Sequence, residues 1–229
     1  MEEIKAVLSG GVIAAIALTV LAVVALVRAE AKWRIGESRM AVWMTKPLAS
    51  AGFVLTAILA GALNHTFGQL ILVGLLLGAI GDVLLIPDGQ NAGFKLGMAS
   101  FLGGHVIYVY AFFVNGLFTA WSGMTILLMT CLGAVCLRIF WPHVRGLLRP
   151  LLITYVIVIS LMAISATGMT VARGSALYLT AAGLFVVSDI LVAWDRFIRH
   201  RPINGAVALP MYYLAQLMFA LATGANAGY

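Results

Sequence analysis

Two aspartates stand where an acid is costly. Asp82 lies in Gly81-Asp82-Val83-Leu84-Leu85, inside an apolar run from about Gln69 to Ile86. Asp189 lies in Ser188-Asp189-Ile190-Leu191-Val192, again inside an apolar run. A carboxylate placed in hydrocarbon costs roughly 2.5–3.5 kcal/mol on insertion scales, so each must face a protein interior or a wet cavity. One protonated acid beside one ionised acid is the arrangement for acid/base hydrolysis. The plainer alternative is a structural pair, each acid satisfied by a Lys, a His or backbone.

Other residues at similar depth extend the pattern. Phe101, His105, Tyr108 and Phe112 recur at helical spacing and share one face. His105 needs a partner, and an Asp is the obvious one; the His would then orient, act as a base or ligate a metal. Asp82, Asp189 and His105 could together hold zinc, but no tight ligand spacing supports a metal site. Lys46 is placed to snorkel to headgroups or to cap a phosphate, and Arg149 shares that ambiguity. Tyr155, Tyr212 and Gln216 lie at workable depths, where polar side chains also serve as interhelical glue. Asp195 and Asp88 read as surface charges, and His65, His143 and His200 as loop or helix-end residues without an evident partner. Gly74 and Gly78 form a helix-packing motif. No Gly-x-Ser-x-Gly, P-loop or His-Glu-x-x-His is present, so serine-hydrolase, ATPase and zincin chemistry lack support.

The elements that position these residues follow from composition. Of 229 residues, 63% are hydrophobic and 10% charged. An ordinary soluble domain carries about 25% charged residues, so this is an integral membrane protein. Apolar runs of helix-spanning length indicate an all-α, polytopic protein rather than a barrel. Eight spans are predicted, near 6–28, 43–62, 68–86, 96–117, 121–140, 148–170, 175–195 and 204–224. The first lacks a basic leader and reads as a retained helix rather than a signal peptide. Connections are short, so residues 1–229 form a single integral membrane domain, multi-pass in the inner or plasma membrane if bacterial. Cys131 and Cys136 share one span and will not pair. A net charge of +6 would suggest nucleic acid in a soluble protein; here it is explained by topology, and no nucleic-acid partner is expected.

Lys and Arg collect on the cytoplasmic side of short loops. Arg28, Lys32, Arg34, Arg39, Lys46, Lys95, Arg138, Arg145, Arg149, Arg196, Arg199 and Arg201 fall on one side, against Lys5 and Arg173 on the other. Both termini are therefore expected on the non-cytoplasmic side. The same orientation puts Lys46, Asp82, His105 and Asp189 in the cytoplasmic half of the bilayer. Lys46-Pro47-Leu48 opens span 2 and Arg149-Pro150-Leu151 opens span 6, while the two Asp motifs occupy spans 3 and 7. That pattern suggests two parallel four-helix halves, 1–117 and 118–229, with the acids facing each other across a pseudo-twofold axis.

Taken in order, Lys46-Pro47-Leu48, Gly81-Asp82, Phe101-x3-His105-x2-Tyr108, Ser188-Asp189 and Tyr212 with Gln216 resemble the YhhN-like lysoplasmalogenase family. The resemblance runs from span 2 to span 8. It implies an eight-helix hydrolase that cleaves the vinyl ether bond of lysoplasmalogens to a fatty aldehyde and a glycerophospho-alcohol, without cofactor. An enol ether is hydrolysed by protonation at its β-carbon and addition of water to the oxocarbenium ion, as in glycoside hydrolysis. One of Asp82 and Asp189 would be the acid and the other the carboxylate. His105 and Tyr108 would tune them, while Lys46 and Arg149 hold the phosphate. Tyr155, Tyr212 and Gln216 would complete the contacts to a lysophospholipid drawn from the cytoplasmic leaflet.

Three other readings compete. A proton-coupled transporter would use paired membrane acids, although carriers bind at the midplane and these acids lie to one side. A metal-dependent lipid ester or amide hydrolase would be lost to chelator. A non-catalytic lipid-binding protein would hold lipid without turnover.

Overall fold

The computed structural model describes residues 7–87, 92–199 and 201–224. Asp88, His200 and Lys5 therefore lie outside the described residues. The helices are α1 (Gly10–Arg34), α2 (Met40–Leu59), α3 (Thr66–Leu84), α4 (Ala92–Asn115), α5 (Ala120–Phe140), α6 (Leu148–Arg173), α7 (Leu177–Phe197) and α8 (Pro202–Gly224). Short 3-10 turns follow α2 at Ala62–Asn64 and α5 at Trp141–His143. Each of the eight helices is long and apolar enough to cross a membrane. With no water in the bilayer core, helices are the solution that satisfies every backbone group internally. The chain is an all-helical, multi-pass membrane protein.

The helix order in space follows from which faces are small or apolar. α8 packs against α7, α1, α2 and α3, and so occupies the middle of the bundle. α4 packs between α3 and α6, and α5 lies outside on α6 with a lesser contact to α7. Pairings α1–α2, α2–α3 and α3–α4 recur as α5–α6, α6–α7 and α7–α8. The cross pairs α2–α8 and α4–α6 exchange under the same correspondence.

Glycines permit the closest approaches. A Cβ on Gly104 of α4 would lie 3.1 Å from the Gly74 carbonyl oxygen of α3, and one on Gly168 would lie 2.6 Å from that of Leu117. The Leu117 N–H donates to the Gly168 carbonyl at 3.2 Å, tying the end of α4 to α6. Gly174 closes α6 with φ 61°, a left-handed conformation that a side chain would strain.

Two expectations about the ends need correction. α1 runs to Arg34, beyond the apolar stretch expected to end near residue 28, and so carries Glu30 and Arg34 across to the α7–α8 turn. His65 has partners: its Nδ1 accepts from Gly68 N–H at 3.0 Å, capping α3. Its Nε2 donates to the Thr223 carbonyl at 2.8 Å.

Candidate functional site

A cavity of about 210 Å³ is lined by residues from all eight helices, and both Asp82 and Asp189 line it. Lys46, Tyr155 and Tyr212 line it as well.

Asp82 is 2% exposed and ringed by donors. Its Oδ2 accepts from Ser50 Oγ at 2.7 Å, from the Tyr212 hydroxyl at 2.8 Å and from the Tyr213 hydroxyl at 3.4 Å. Lys46 Nζ lies 3.7 Å from Oδ1, with both side chains buried. An ionised carboxylate accepts and cannot donate, so a cage of three hydroxyls and an ammonium suits that form. Pro47 follows Lys46 inside α2 and Pro210 precedes Tyr212 inside α8. Each removes one backbone hydrogen bond from its helix beside the site. The Lys46 carbonyl lies 3.0 Å from Ser50 Oγ and 3.4 Å from the Tyr213 hydroxyl, and competes with Asp82 for the single proton that each carries.

Behind Tyr212 runs a directed chain of bonds. The Tyr108 hydroxyl donates to Gln216 Oε1 at 2.9 Å, and Gln216 Nε2 donates to the Tyr212 oxygen at 3.1 Å. Tyr212 in turn spends its single proton on Asp82. Tyr108 and Gln216 are buried and are not among the cavity-lining residues. In this chain Gln216 stands one step and Tyr108 two steps behind Tyr212.

Asp189 has unlike partners. The Tyr155 hydroxyl donates to Oδ2 at 2.8 Å, and His105 Nε2 lies 3.6 Å from the same oxygen. His105 Nδ1 is 2.6 Å from the Phe101 carbonyl, which can only accept, so Nδ1 carries the proton. In its neutral form His105 turns the Nε2 lone pair toward Asp189, and that buried nitrogen has no hydrogen-bond partner. A proton on the Asp189 carboxyl is what this arrangement can accept. The imidazole is held by Phe185, with ring centroids 4.6 Å apart, and by Tyr155 at 5.4 Å.

Two residues depart from the expectations for the site. Arg149 is not in the cavity wall: its Nε donates to the Val144 carbonyl at 3.1 Å and its guanidinium lies over Trp141. Asp195 is no exposed charge: its side chain is 9% exposed and bridges to Arg34 at 3.1 Å, and it lines the cavity. Ser188, the partner of Asp189 in its motif, donates to the Ala208 carbonyl at 3.0 Å and staples α7 to α8. Ser50 and Tyr213 were not singled out from sequence, although Ser50 sits four residues after Lys46 and so shares its face. Arg34, Arg39 and Arg196 also line the cavity and were read only as topology markers. Among the described residues, no group of three His, Cys, Asp or Glu side chains could hold a metal ion.

Fold and site together define a polytopic helical membrane protein with a paired-carboxylate cavity buried in its bundle. The YhhN family matches residues 41–223, and the chain belongs to it. Lysoplasmalogenase TMEM86A of Bos taurus is 34% identical over 175 residues, which cover 74% of this chain and 71% of the relative. The Homo sapiens TMEM86A is 31% identical over the same length and coverage. Lysoplasmalogenase TMEM86B of Homo sapiens is 31% identical over 155 residues, covering 68% of this chain and 63% of its own. No solved structure matches the chain significantly.

Proposed function

We propose that this protein hydrolyses the vinyl ether bond of lysoplasmalogens, with Asp189 as the acid and Asp82 as the carboxylate. The observation that carries the proposal is that a buried Asp82 and a partly buried Asp189 line one cavity with unlike surroundings. Three hydroxyls and an ammonium surround Asp82, whereas Asp189 has the single Tyr155 hydroxyl as donor and faces an imidazole nitrogen without a hydrogen-bond partner. The names of the relatives supply the substrate class.

The steps balance on these residues. Asp189 gives its proton to the vinyl carbon remote from oxygen, and the C=C electron pair forms the new C–H bond. An oxygen lone pair then makes the oxocarbenium ion, which the Asp82 carboxylate stabilises. Water adds to the carbon beside the ether oxygen while Asp82 takes its proton. The hemiacetal collapses as its O–H proton returns to Asp189 and its bond to the glyceryl oxygen breaks. That oxygen collects the proton from Asp82. One water is consumed, and an aldehyde and an alcohol leave. Between turnovers the proton stays on the Asp189 carboxyl, facing the His105 Nε2 lone pair, and Lys46 keeps Asp82 ionised. The alkenyl chain lies along the apolar wall of α5 and α6, at Met129, Leu132, Val156 and Ile159.

The distribution of Lys and Arg supports a cavity mouth on the cytoplasmic side with both termini opposite. The recurrent helix pairings support one membrane domain built from two parallel halves, 1–117 and 118–229. The test is aldehyde release by purified protein from a lysoplasmalogen. Asp82→Asn and Asp189→Asn should each lose at least about a hundredfold in kcat, the scale of a positioned acid or base. Chelator should leave the wild-type rate unchanged. Full turnover in either Asn variant would sink the two-acid mechanism.

A further inference from the structure

The cavity is shorter than a membrane lipid chain. On α6 its wall runs from Leu152 to Ser160, and Tyr155, which donates to Asp189, lies between them. Ser160 stands five residues past Tyr155, about 7.5 Å farther along the helix. On α5 the wall ends at Met129. A hydrocarbon chain that fills one leaflet is about 15 Å long, half the thickness of the bilayer core. With the vinyl bond at Asp189, roughly half of such a chain finds no room beyond the acids. The remainder has to leave the bundle between two helices.

The gap lies between α5 and α7. Gly133 seats α5 on α6, where an added Cβ would lie 2.9 Å from Val156 Cγ1. Phe140, at the end of α5, packs on Trp194 and on Phe197 of α7, with ring centroids 6.4 Å apart in each case. Overall the contact of α5 with α7 is slight. On α7, Gly183, Val187, Ile190 and Trp194 recur at helical spacing and form one row. Val187 is 44% and Trp194 38% exposed, so the row faces the membrane. Ile190 belongs to that row and also lines the cavity. The cavity therefore reaches the outer surface of the bundle at Ile190. Ile190 lies seven residues before Phe197, about 10 Å along the helix from the aromatic contact. On α5, Met129, Leu132 and Cys136 face the cavity and are only half-buried. A rim of such side chains admits hydrocarbon and disfavours a headgroup.

We propose that the slot between α5 and α7 holds the distal half of the substrate's alkenyl chain and opens into the bilayer, with Ile190 and Leu132 setting its width. The cavity wall then reads the part of the chain next to the vinyl bond, and the bilayer takes the rest. The vinyl bond of the occupant rests on the vinyl-ether reading; the passage for a single lipid chain does not.

The experiment reads binding before turnover. Wild type in lipid nanodiscs is irradiated with an alkyl-ether lysophospholipid, which has no vinyl bond to cleave. The ligand carries a diazirine either next to the ether oxygen or at the end of its chain. Labels that an excess of the unmodified ligand suppresses are mapped by mass spectrometry. The near diazirine should label the cavity wall of α5 and α6, and the far one the membrane-facing residues of α5 and α7 beside the slot. Suppressible far labels confined to the cavity wall, or placed at another pair of helices, would overturn the proposal. Ile190→Trp and Leu132→Trp narrow the slot. The ratio of kcat/KM for a long-chain over a short-chain lysoplasmalogen should fall about tenfold in each, the scale of one misfitting methylene. Val187→Trp, on the same row but outside the cavity wall, should keep the wild-type ratio. An unchanged ratio in the folded slot variants would likewise overturn the proposal. If neither variant folds, the labelling of wild type decides. Far labels beside the slot in a protein without turnover would uphold the passage while removing the vinyl-ether reaction.

Discussion

In sequence the two acids look alike, each after a small residue in an apolar run; their partners make them different. Asp82 meets a lysine, a serine and two tyrosines, while Asp189 meets one tyrosine and one imidazole nitrogen. The need for partners was legible, because a lone acid cannot stay in hydrocarbon. The division of labour was not, because it depends on which helices bring Ser50, Tyr213 and His105 to which acid. The Lys46–Asp82 pair allows a test at this scale. Removing one partner of a buried ion pair costs about 3–5 kcal/mol, since a bare charge is left behind. Lys46→Met should therefore lower the unfolding temperature in detergent markedly. Adding Asp82→Asn to it should recover most of that loss, yet leave the protein without activity. If Lys46→Met is as stable as wild type, Asp82 does not depend on its ammonium.

Helix boundaries agree with the apolar runs to within a few residues at most ends, because hydrocarbon thickness sets the length of a span. The misreadings cluster where helices continue past the apolar stretch. α1 continues through Glu30 to Arg34, so charges that look solvated in sequence meet Asp195 at the cavity mouth. Arg149 opens its span as Lys46 does, but α6 turns it onto Trp141 and away from the acids. The glycine motif of α3 has a use beyond packing. A Cβ on Gly74 would collide with the Tyr108 ring, and one on Gly78 would collide with Gln216 Nε2 and approach the Tyr212 hydroxyl at 3.3 Å. Both glycines therefore leave room for the chain of bonds that aims Tyr212 at Asp82. Gly74→Ala should destabilise by about 1–3 kcal/mol, as overpacking does, read from thermal unfolding. Gly78→Ala meets the flexible end of Gln216 and should unfold near the wild-type temperature with kcat reduced about tenfold, the smaller effect expected of a misplaced orienting group. Unchanged kcat in Gly78→Ala would separate that chain of bonds from catalysis.

At the scale of the whole molecule, the bundle keeps a water-consuming reaction inside a lipid-facing protein. Its apolar wall lies on α5 and α6, its acids on α3 and α7, and Arg34, Arg39 and Arg196 where α1 and α7 end and α2 begins. The central claim is that a carboxylic acid protonates carbon, and the product carries a record of it. Turnover of a lysoplasmalogen in deuterium oxide, with the aldehyde reduced at once to prevent later exchange, gives an alcohol whose label can be located by mass spectrometry. Proton transfer from Asp189 predicts one deuterium on the carbon next to the former carbonyl, in every product molecule. An aldehyde formed without deuterium at that carbon would contradict protonation at carbon, and with it the roles assigned to both acids.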